Sequence, residues 1–253
     1  MQGFSIVFFA VWAIAGNPRA ALRLSILPWI AGFAAAFAIL QPLVGVGLSM
    51  LASDRIPPAM HDQGYSPALL FSLFVFGIVS CWIGMTWHRH ILLRETAQSM
   101  LSRRNAEAFL LYFRAMAKVA VLAAAILLMI KALMVPLVPA LGLAGPGAKV
   151  VSIAINALLI SLVLRFGLVL PAAAIGRPIS MGDSWAATRG YSGPVFAIAF
   201  FIVVVNELTA LFPETSAAAS VLVAAGSWTG MMLTLGALSV LYGVRIQGRR
   251  LIV

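Results

Sequence analysis

Charged side chains and cysteines are scarce in this chain. Only 9% of its 253 residues are charged, against roughly 25% in soluble domains. The single cysteine, Cys81, excludes an internal disulfide, and its position inside an apolar run is typical of a small core side chain. Since only 7 residues are acidic, few groups are left for acid–base catalysis or for proton-coupled transport.

Catalytic and metal-binding patterns are also missing. The sequence has no His-Glu-x-x-His, no Gly-x-Ser-x-Gly, no glycine loop that could cradle a phosphate and no pair of acidic residues inside an apolar run. His88 and His90 are two positions apart, so on a helix they point about 200° apart and could not chelate one metal without ligands from another helix. We therefore predict no catalytic residue, no cofactor and no metal site.

Apolar residues dominate the composition instead. They make up 62% of the chain, far above the roughly 45–50% of soluble domains. A helix that crosses a bilayer needs about 20 apolar residues, and six runs meet this requirement. We expect the first to be broken at Gln41-Pro42. The predicted spans cover residues 22–51, 67–87, 108–138, 150–175, 194–212 and 217–244.

Three shorter segments, at residues 4–15, 91–105 and 176–193, are amphipathic or too short to span. We interpret each as a helix that lies in the membrane interface, with Trp12, Met100 and Trp185 at head-group level. In the third, Ser180 and Asp183 have the spacing of a capping box, in which serine and carboxylate satisfy each other's backbone amides. A short helix is predicted to follow and to end at Gly190.

The same order of elements recurs three times. In each unit an interfacial helix and a hinge precede two spans, and the hinges are predicted at Asn17-Pro18, Arg104-Asn105 and Arg189-Gly190. The predicted fold is therefore all-α: one polytopic membrane domain over residues 1–253, with six transmembrane helices in three hairpins. The repeat-like units cover about 1–90, 91–175 and 176–253. Alternatively, the repeat is only the division into hairpins that any six-span protein allows.

The distribution of basic residues predicts the orientation. Short loops and tails on one side hold thirteen of them, whereas the other side holds only Arg55 and Lys149. By the positive-inside rule both termini are cytoplasmic. The net charge of +10 then reflects topology and contact with anionic lipid, so nucleic acid is rejected as a partner. The thirteen are Arg19, Arg23, Arg89, Arg94, Arg103, Arg104, Arg114, Lys118, Arg177, Arg189, Arg245, Arg249 and Arg250.

Polar residues inside spans are costly in a bilayer and are therefore functional candidates. Gln41, Lys131 and Glu207 lie at similar distances from the basic belt and could line a polar patch together with Arg165. We also predict that Lys131 pairs with Glu207. The alternatives are snorkelling or a plain ion pair for the first three residues, and snorkelling for Arg165. A second set is predicted to contact lipid head groups, with Trp87 as an aromatic anchor: His88, Arg89, Arg94, Arg103, Arg104 and Arg189.

Two stretches resemble a known family. They are Trp87 to Glu95, which reads WHRHILLRE, and Arg165 to Gly190, in which Leu-Pro-Ala-Ala-Ala is followed by Ser-Trp-x-x-Thr-x-Gly. They resemble the YciC-like bacterial inner-membrane proteins, which are related to the membrane domain of some glycerophosphodiester phosphodiesterases. The resemblance implies an architecture and a bacterial inner-membrane location but no activity.

Three functions stay open on these residues. The first is a non-enzymatic membrane module that organises lipids, anionic ones above all, or a membrane-protein partner. The second is a carrier or channel for a small solute, with a polar lining from Gln41, Lys131, Arg165 and Glu207. An intramembrane enzyme ranks last, because it needs a reactive group that faces a cavity.

Overall fold

The structure, a computed structural model, describes residues 2–44, 67–95, 103–140, 142, 145–209 and 217–249, and this part of the chain is helical apart from short connecting segments. A π-helical turn, Leu22–Ile26, joins the second and third helices. The helices are α1 (Gln2–Ala15), α2 (Pro18–Ala21), α3 (Leu27–Val44), α4 (Pro67–Leu93), α5 (Arg103–Ala140), α6 (Pro146–Phe166), α7 (Val169–Ala174), α8 (Met181–Ala187), α9 (Ser192–Thr209) and α10 (Ala217–Arg245).

Five of the helical segments are long and apolar enough to cross a membrane. They are α4, α5, the combined segment of α6 and α7, then α9, and finally α10. The bent pair formed by α1 and α2–α3 would add a sixth. Apolar side chains such as Val121 and Leu128 of α5 lie exposed on the outside of the bundle, as expected where lipid is the solvent. The prediction of an all-helical chain with several apolar helices long enough to span a membrane is thus confirmed for the described residues.

The helix α4 is the centre of the packing. It contacts α3, α5, α7 and α10, and small residues allow the closest of these approaches. A Cβ added at Gly32 of α3 would lie 2.9 Å from a methyl group of Val79 on α4, so no larger residue fits there without movement. Ser25, in the π-helical turn, accepts a hydrogen bond from the indole Nε1 of Trp228 at 3.1 Å and joins the start of the chain to α10.

The first helix is part of the bundle. One face of α1 packs on α9 and α10, with Ile6 and Ala10 buried, and the bend between α1 and α2 measures 79°. Ala10 lies against Gly236, where an added Cβ would be only 3.2 Å from the alanine Cβ. Trp12 lies outside this packed face and is 60% exposed. The hinge predicted at Asn17-Pro18 is confirmed, and the head-group position of Trp12 stays a prediction.

The boundaries of two predicted segments are wrong. Residues 91–93 continue α4 past Trp87, and residues 103–105 begin α5, so the segment 91–105 is not one separate helix and α5 has no hinge at Arg104-Asn105. Its middle, including Met100, lies outside the described residues. The first span is also unbroken at Gln41-Pro42, since α3 continues to Val44. Proline removes one backbone N–H and crowds the carbonyl four residues earlier, but Pro42 is in the last turn of α3, so few helical residues follow the disturbance.

The capping box and the short helix predicted after the fourth span are confirmed. The Ser180 hydroxyl accepts from the Asp183 amide at 3.0 Å while the Asp183 carboxylate accepts from the Ser180 amide at 3.1 Å, so the capping box is complete. The helix α8 ends at Ala187, three residues before the predicted Gly190, which has a φ of +80° in the turn to α9. The fourth span itself is interrupted at Gly167, between α6 and α7.

Candidate functional site at the arginine-rich end of the bundle

Arginines connect the C-terminal ends of several helices at one end of the bundle, which we call the arginine-rich end. Arg89 donates to the carbonyl of Ala174 at the end of α7 (3.0 Å), and Arg245 donates to Ala187 at the end of α8 (2.7 Å). Arg249, beyond α10, donates to Leu92 at the end of α4 (2.7 Å). The last carbonyls of a helix have no intrahelical partner and carry partial negative charge, so these cations cap neighbouring helices.

The Arg89 side chain lies inside the protein. Its Nε and Nη2 both donate to Oε2 of Glu95, at 2.9 and 2.6 Å, and its side chain is only 7% exposed. Arg94, between the two, adopts a φ of +55°, which turns the chain back after α4 and brings Glu95 to Arg89. The prediction that Arg89 contacts lipid head groups is therefore wrong, because its Nε and Nη2 bind the Glu95 carboxylate and its Nη1 binds the Ala174 carbonyl.

His88 is also buried, with 0% exposure, and does not contact lipid. Its Nδ1 lies 2.7 Å from the hydroxyl oxygen of Ser239 on α10. That hydroxyl donates its single hydrogen to the carbonyl of Leu235 at 2.9 Å, so it accepts from His88, and we assign the proton of the imidazole to Nδ1. The Nε2 atom has no partner among the described residues, and neither have the Trp87 indole nitrogen and the Tyr112 hydroxyl.

Arg165 holds α8 against α6. Its guanidinium lies 4.7 Å from the ring centre of Trp185 and donates to the Ser192 hydroxyl, while its backbone carbonyl accepts from Ser184 at 2.5 Å. Trp185 also stacks on Phe166, with 5.0 Å between ring centres. These contacts fix the short helix α8 to the bundle, so Arg165 has a positioning role at the arginine-rich end.

The four residues predicted to share a polar lining are not brought together. Glu207 forms an ion pair with Lys149 at the start of α6, so the predicted pair with Lys131 is wrong. The helix α6 packs against both α5 and α9, and Lys131 is exposed without an ion pair to any described residue. Arg165 is sixteen residues along α6 from Lys149, about 24 Å away. The Gln41 side chain lies outside the described part.

Other basic side chains at the surface carry unneutralised charge. Arg94 and Arg189, two of the predicted head-group contacts, are exposed, whereas the side chains of Arg103 and Arg104 lie outside the described part. Within the described residues, the exposed cations without an ion pair share a location near helix ends or on the outer faces of α2 and α5. They are Arg19, Arg23, Arg94, Arg114, Lys118, Lys131, Arg177, Arg189 and Arg249.

Two cavities open at the arginine-rich end. The larger, of about 570 Å³, lies between α1, the end of α4 and the end of α10, and the tail residue Arg249 closes one side of it. The second, of about 560 Å³, lies between the turn after α7 and the tail, with Arg177 and again Arg249 in its wall. Both volumes fall within the roughly 300–1,000 Å³ typical of small-molecule sites.

The prediction of a membrane anchor at residues 87–90 did not anticipate that His88 and Arg89 form polar contacts inside the bundle. The apolar run stops at residue 87, which favours an anchor at the membrane surface. The helix α4 nevertheless continues for more than a turn and buries the side chains of Trp87, His88 and Arg89 in the bundle. Nothing in the sequence marks Ser239, which stands inside an apolar run 151 positions from its partner. No family model, no curated protein and no solved structure matches the chain.

Proposed function

We propose that this protein is a non-enzymatic, multi-pass membrane module that gathers anionic lipids, or a partner protein that binds with them, around its arginine-rich end. The observation that carries the proposal is the division of the basic residues into two groups. One group, with Arg89, Arg245 and Arg249, donates to carbonyl groups at helix ends. The other group, with Arg94 and Arg189 among its members, is exposed and has no acidic partner in the described part.

Electrostatics supports lipid as the partner of the exposed group. A basic residue near an anionic membrane surface contributes about 1 kcal/mol of attraction, and several together produce lasting enrichment. The same distribution favours the orientation predicted from the sequence, with the arginine-rich end and both termini in the cytoplasm. The resemblance to YciC-like proteins is consistent with a bacterial inner membrane, whose lipids include anionic species.

The carrier or channel that the sequence left open remains the second candidate, but no described feature favours it. Its lining was to come from Gln41, Lys131, Arg165 and Glu207. Glu207 instead pairs with Lys149, at the opposite end of α6 from Arg165.

The test compares the lipid retained by the purified protein with the lipid supplied. The full chain is reconstituted in nanodiscs of phosphatidylglycerol and phosphatidylcholine, extracted in mild detergent, and its bound lipids and co-purified proteins are measured at low and high salt. We expect enrichment of phosphatidylglycerol that falls as salt screens the exposed charges. A variant with Arg19, Arg114 and Arg189 replaced by glutamine should retain less of it.

Two results would contradict the proposal. One is retained lipid of the same composition as the nanodisc at low salt, with no partner protein recovered from native membranes. The other is an undiminished enrichment in the triple variant, because the exposed cations would then contribute nothing.

A further inference from the structure

The cavity between α1, α4 and α10 carries net positive charge. Arg94 is exposed at its mouth, and Arg249 enters its wall with one Nη2 donor committed to Leu92 and the rest of its five N–H donors uncommitted. Glu95 follows Arg94 in the chain, but its carboxylate is turned to Arg89, away from the cavity. No acidic residue of the described part lines this space, so it favours an anion.

A guanidinium pair suits phosphate oxygens in particular. Arginine presents several donors in one plane and binds phosphate through two parallel hydrogen bonds, and these charge-assisted bonds are stronger than neutral ones. His90 also borders the cavity, with its Nδ1 directed at the carbonyl of Glu95 at 3.1 Å. That contact occupies Nδ1, so Arg94 and Arg249, whose guanidinium groups are always charged, are the cations assigned to the ligand.

Apart from Asn17 and Ser239, the remaining walls of the cavity are apolar. Phe9 and Trp12 form the side made by α1, and Val240 and Val244 form the side made by α10. A free ion would bury nothing against these walls, whereas an acyl chain would gain roughly 25 cal/mol per Å² of covered apolar surface.

We propose that this cavity is a discrete site for one anionic phospholipid, whose phosphate binds Arg94 and Arg249 and whose first acyl carbons lie against Phe9 and Trp12. The inference rests on the proposed function, which needs only a diffuse attraction of lipids to exposed cations. It adds a single saturable site that is selective for a phosphate group with an apolar tail.

Native mass spectrometry of the full chain in detergent measures the site directly. The protein is titrated with phosphatidylglycerol, and in parallel with phosphatidylcholine of the same acyl length, and the apparent Kd of the first bound lipid is compared. We expect Arg94→Gln to weaken the first phosphatidylglycerol by about tenfold, the factor typical of a lost charge-assisted hydrogen bond. Arg189→Gln is the matched control, because it removes the same charge from an exposed residue that does not line the cavity.

A second pair of variants tests the apolar wall. Phe8 and Phe9 are adjacent and chemically identical, but only Phe9 lines the cavity. Phe9→Ala should weaken the first bound phosphatidylglycerol several-fold, and Phe8→Ala should leave it unchanged. Inorganic phosphate is the competing probe, and it should displace the retained lipid poorly because it lacks the tail.

The outcomes separate this inference from the proposed function. Equal weakening in Arg94→Gln and Arg189→Gln, or in the two phenylalanine variants, would overturn the discrete site and leave the diffuse attraction standing. If inorganic phosphate displaces the retained lipid as effectively as competing lipid does, the occupant of the cavity is a free anion and the proposed lipid site is overturned. No preference of the wild-type chain for phosphatidylglycerol would contradict both proposals.

Discussion

His88 and Ser239 are 151 positions apart in the chain, yet the imidazole Nδ1 and the hydroxyl oxygen lie 2.7 Å apart in the buried interior. The contact joins α4 to α10, and the Ser239 hydroxyl in turn donates a hydrogen bond to the carbonyl of Leu235. Both residues are completely buried, so neither polar group can turn to water if its partner is removed.

Ser239→Ala should therefore destabilise the protein, because it leaves the His88 N–H without an acceptor. Such a loss costs about 1–3 kcal/mol in proteins, with membrane proteins toward the lower end. Ser161→Ala is the control, since Ser161 is also buried but bonds only within its own helix, to Leu158 at 2.7 Å. The measurement is denaturant unfolding in detergent. Equal losses for the two variants would show that the contact with His88 contributes nothing.

Arg89→Lys should be damaging although it keeps the charge. Arg89 reaches Glu95 through two nitrogens and the Ala174 carbonyl through a third, and a single ammonium cannot reproduce that planar arrangement. We expect a loss of about 1–3 kcal/mol in unfolding free energy. The same substitution at the exposed Arg189 should stay within about 0.5 kcal/mol. Similar values for both would contradict the capping role of Arg89.

Local patterns in the sequence were enough to predict the elements that depend on neighbouring residues. The box at Ser180 and Asp183 needs only a spacing of three, and the break near Asn17-Pro18 needs only a proline at a helix start. The apolar runs likewise predicted the long helices within a few residues, because hydrophobic length is a property of one segment at a time.

Contacts between distant segments could not be predicted in this way. The pairing of Lys131 with Glu207 assumed that α5 and α9 are neighbours, but α6 packs against both and brings Lys149 to Glu207. His88 and Arg89 were predicted at the lipid surface because hydropathy falls at residue 88. Two of the partners that hold them inside, Ser239 and Ala174, are far away in the sequence, and the third, Glu95, reaches Arg89 only through the turn at Arg94.

Asp183 should make α8 less stable in acid. Hydrogen bonds from the Ser180 side chain, and then from its backbone amide, lower the pKa of this carboxyl below its ordinary value of 3.8. Because the folded pKa lies below the unfolded one, the stabilisation is fully present above the unfolded value and is lost as pH falls through the folded one. The backbone amides of residues 181–187 should lose protection from hydrogen exchange below about pH 4, after correction for the intrinsic exchange rates.

Asp183→Asn supplies the control for this pH dependence. The amide side chain does not titrate, so protection of α8 in the variant should be the same on both sides of the transition. An identical fall in protection in the wild-type chain and the variant would assign the acid effect to other groups.

The orientation can be tested by labelling single cysteines in a Cys81→Ala background. Replacements at Asp62 and Ser216, in the two predicted outer loops, should react in intact cells with a thiol reagent that cannot cross the membrane. A replacement at Ser99 should react only after the membrane is opened, because the positive-inside rule places it in the cytoplasm. Labelling of Ser99→Cys in intact cells would reverse the proposed topology.

Gly84 is expected to be the position at which α4 and α5 tolerate least change. A Cβ at this residue would overlap the Tyr112 hydroxyl oxygen and lie 2.9 Å from the ring carbon that carries it, and Tyr112 is completely buried and cannot withdraw. Gly84→Ala should therefore cost about 1–3 kcal/mol, the usual range for overpacking. Gly77→Ala, in the same helix but with nothing within 4 Å, should be neutral or slightly stabilising because alanine favours a helix.

Tyr112→Phe alone should cost little, since the hydroxyl has no partner in the described part. It should also recover part of the loss in the double variant with Gly84→Ala. Unfolding in detergent across the four variants measures all of this, and a Gly84→Ala protein as stable as Gly77→Ala would refute the tight contact.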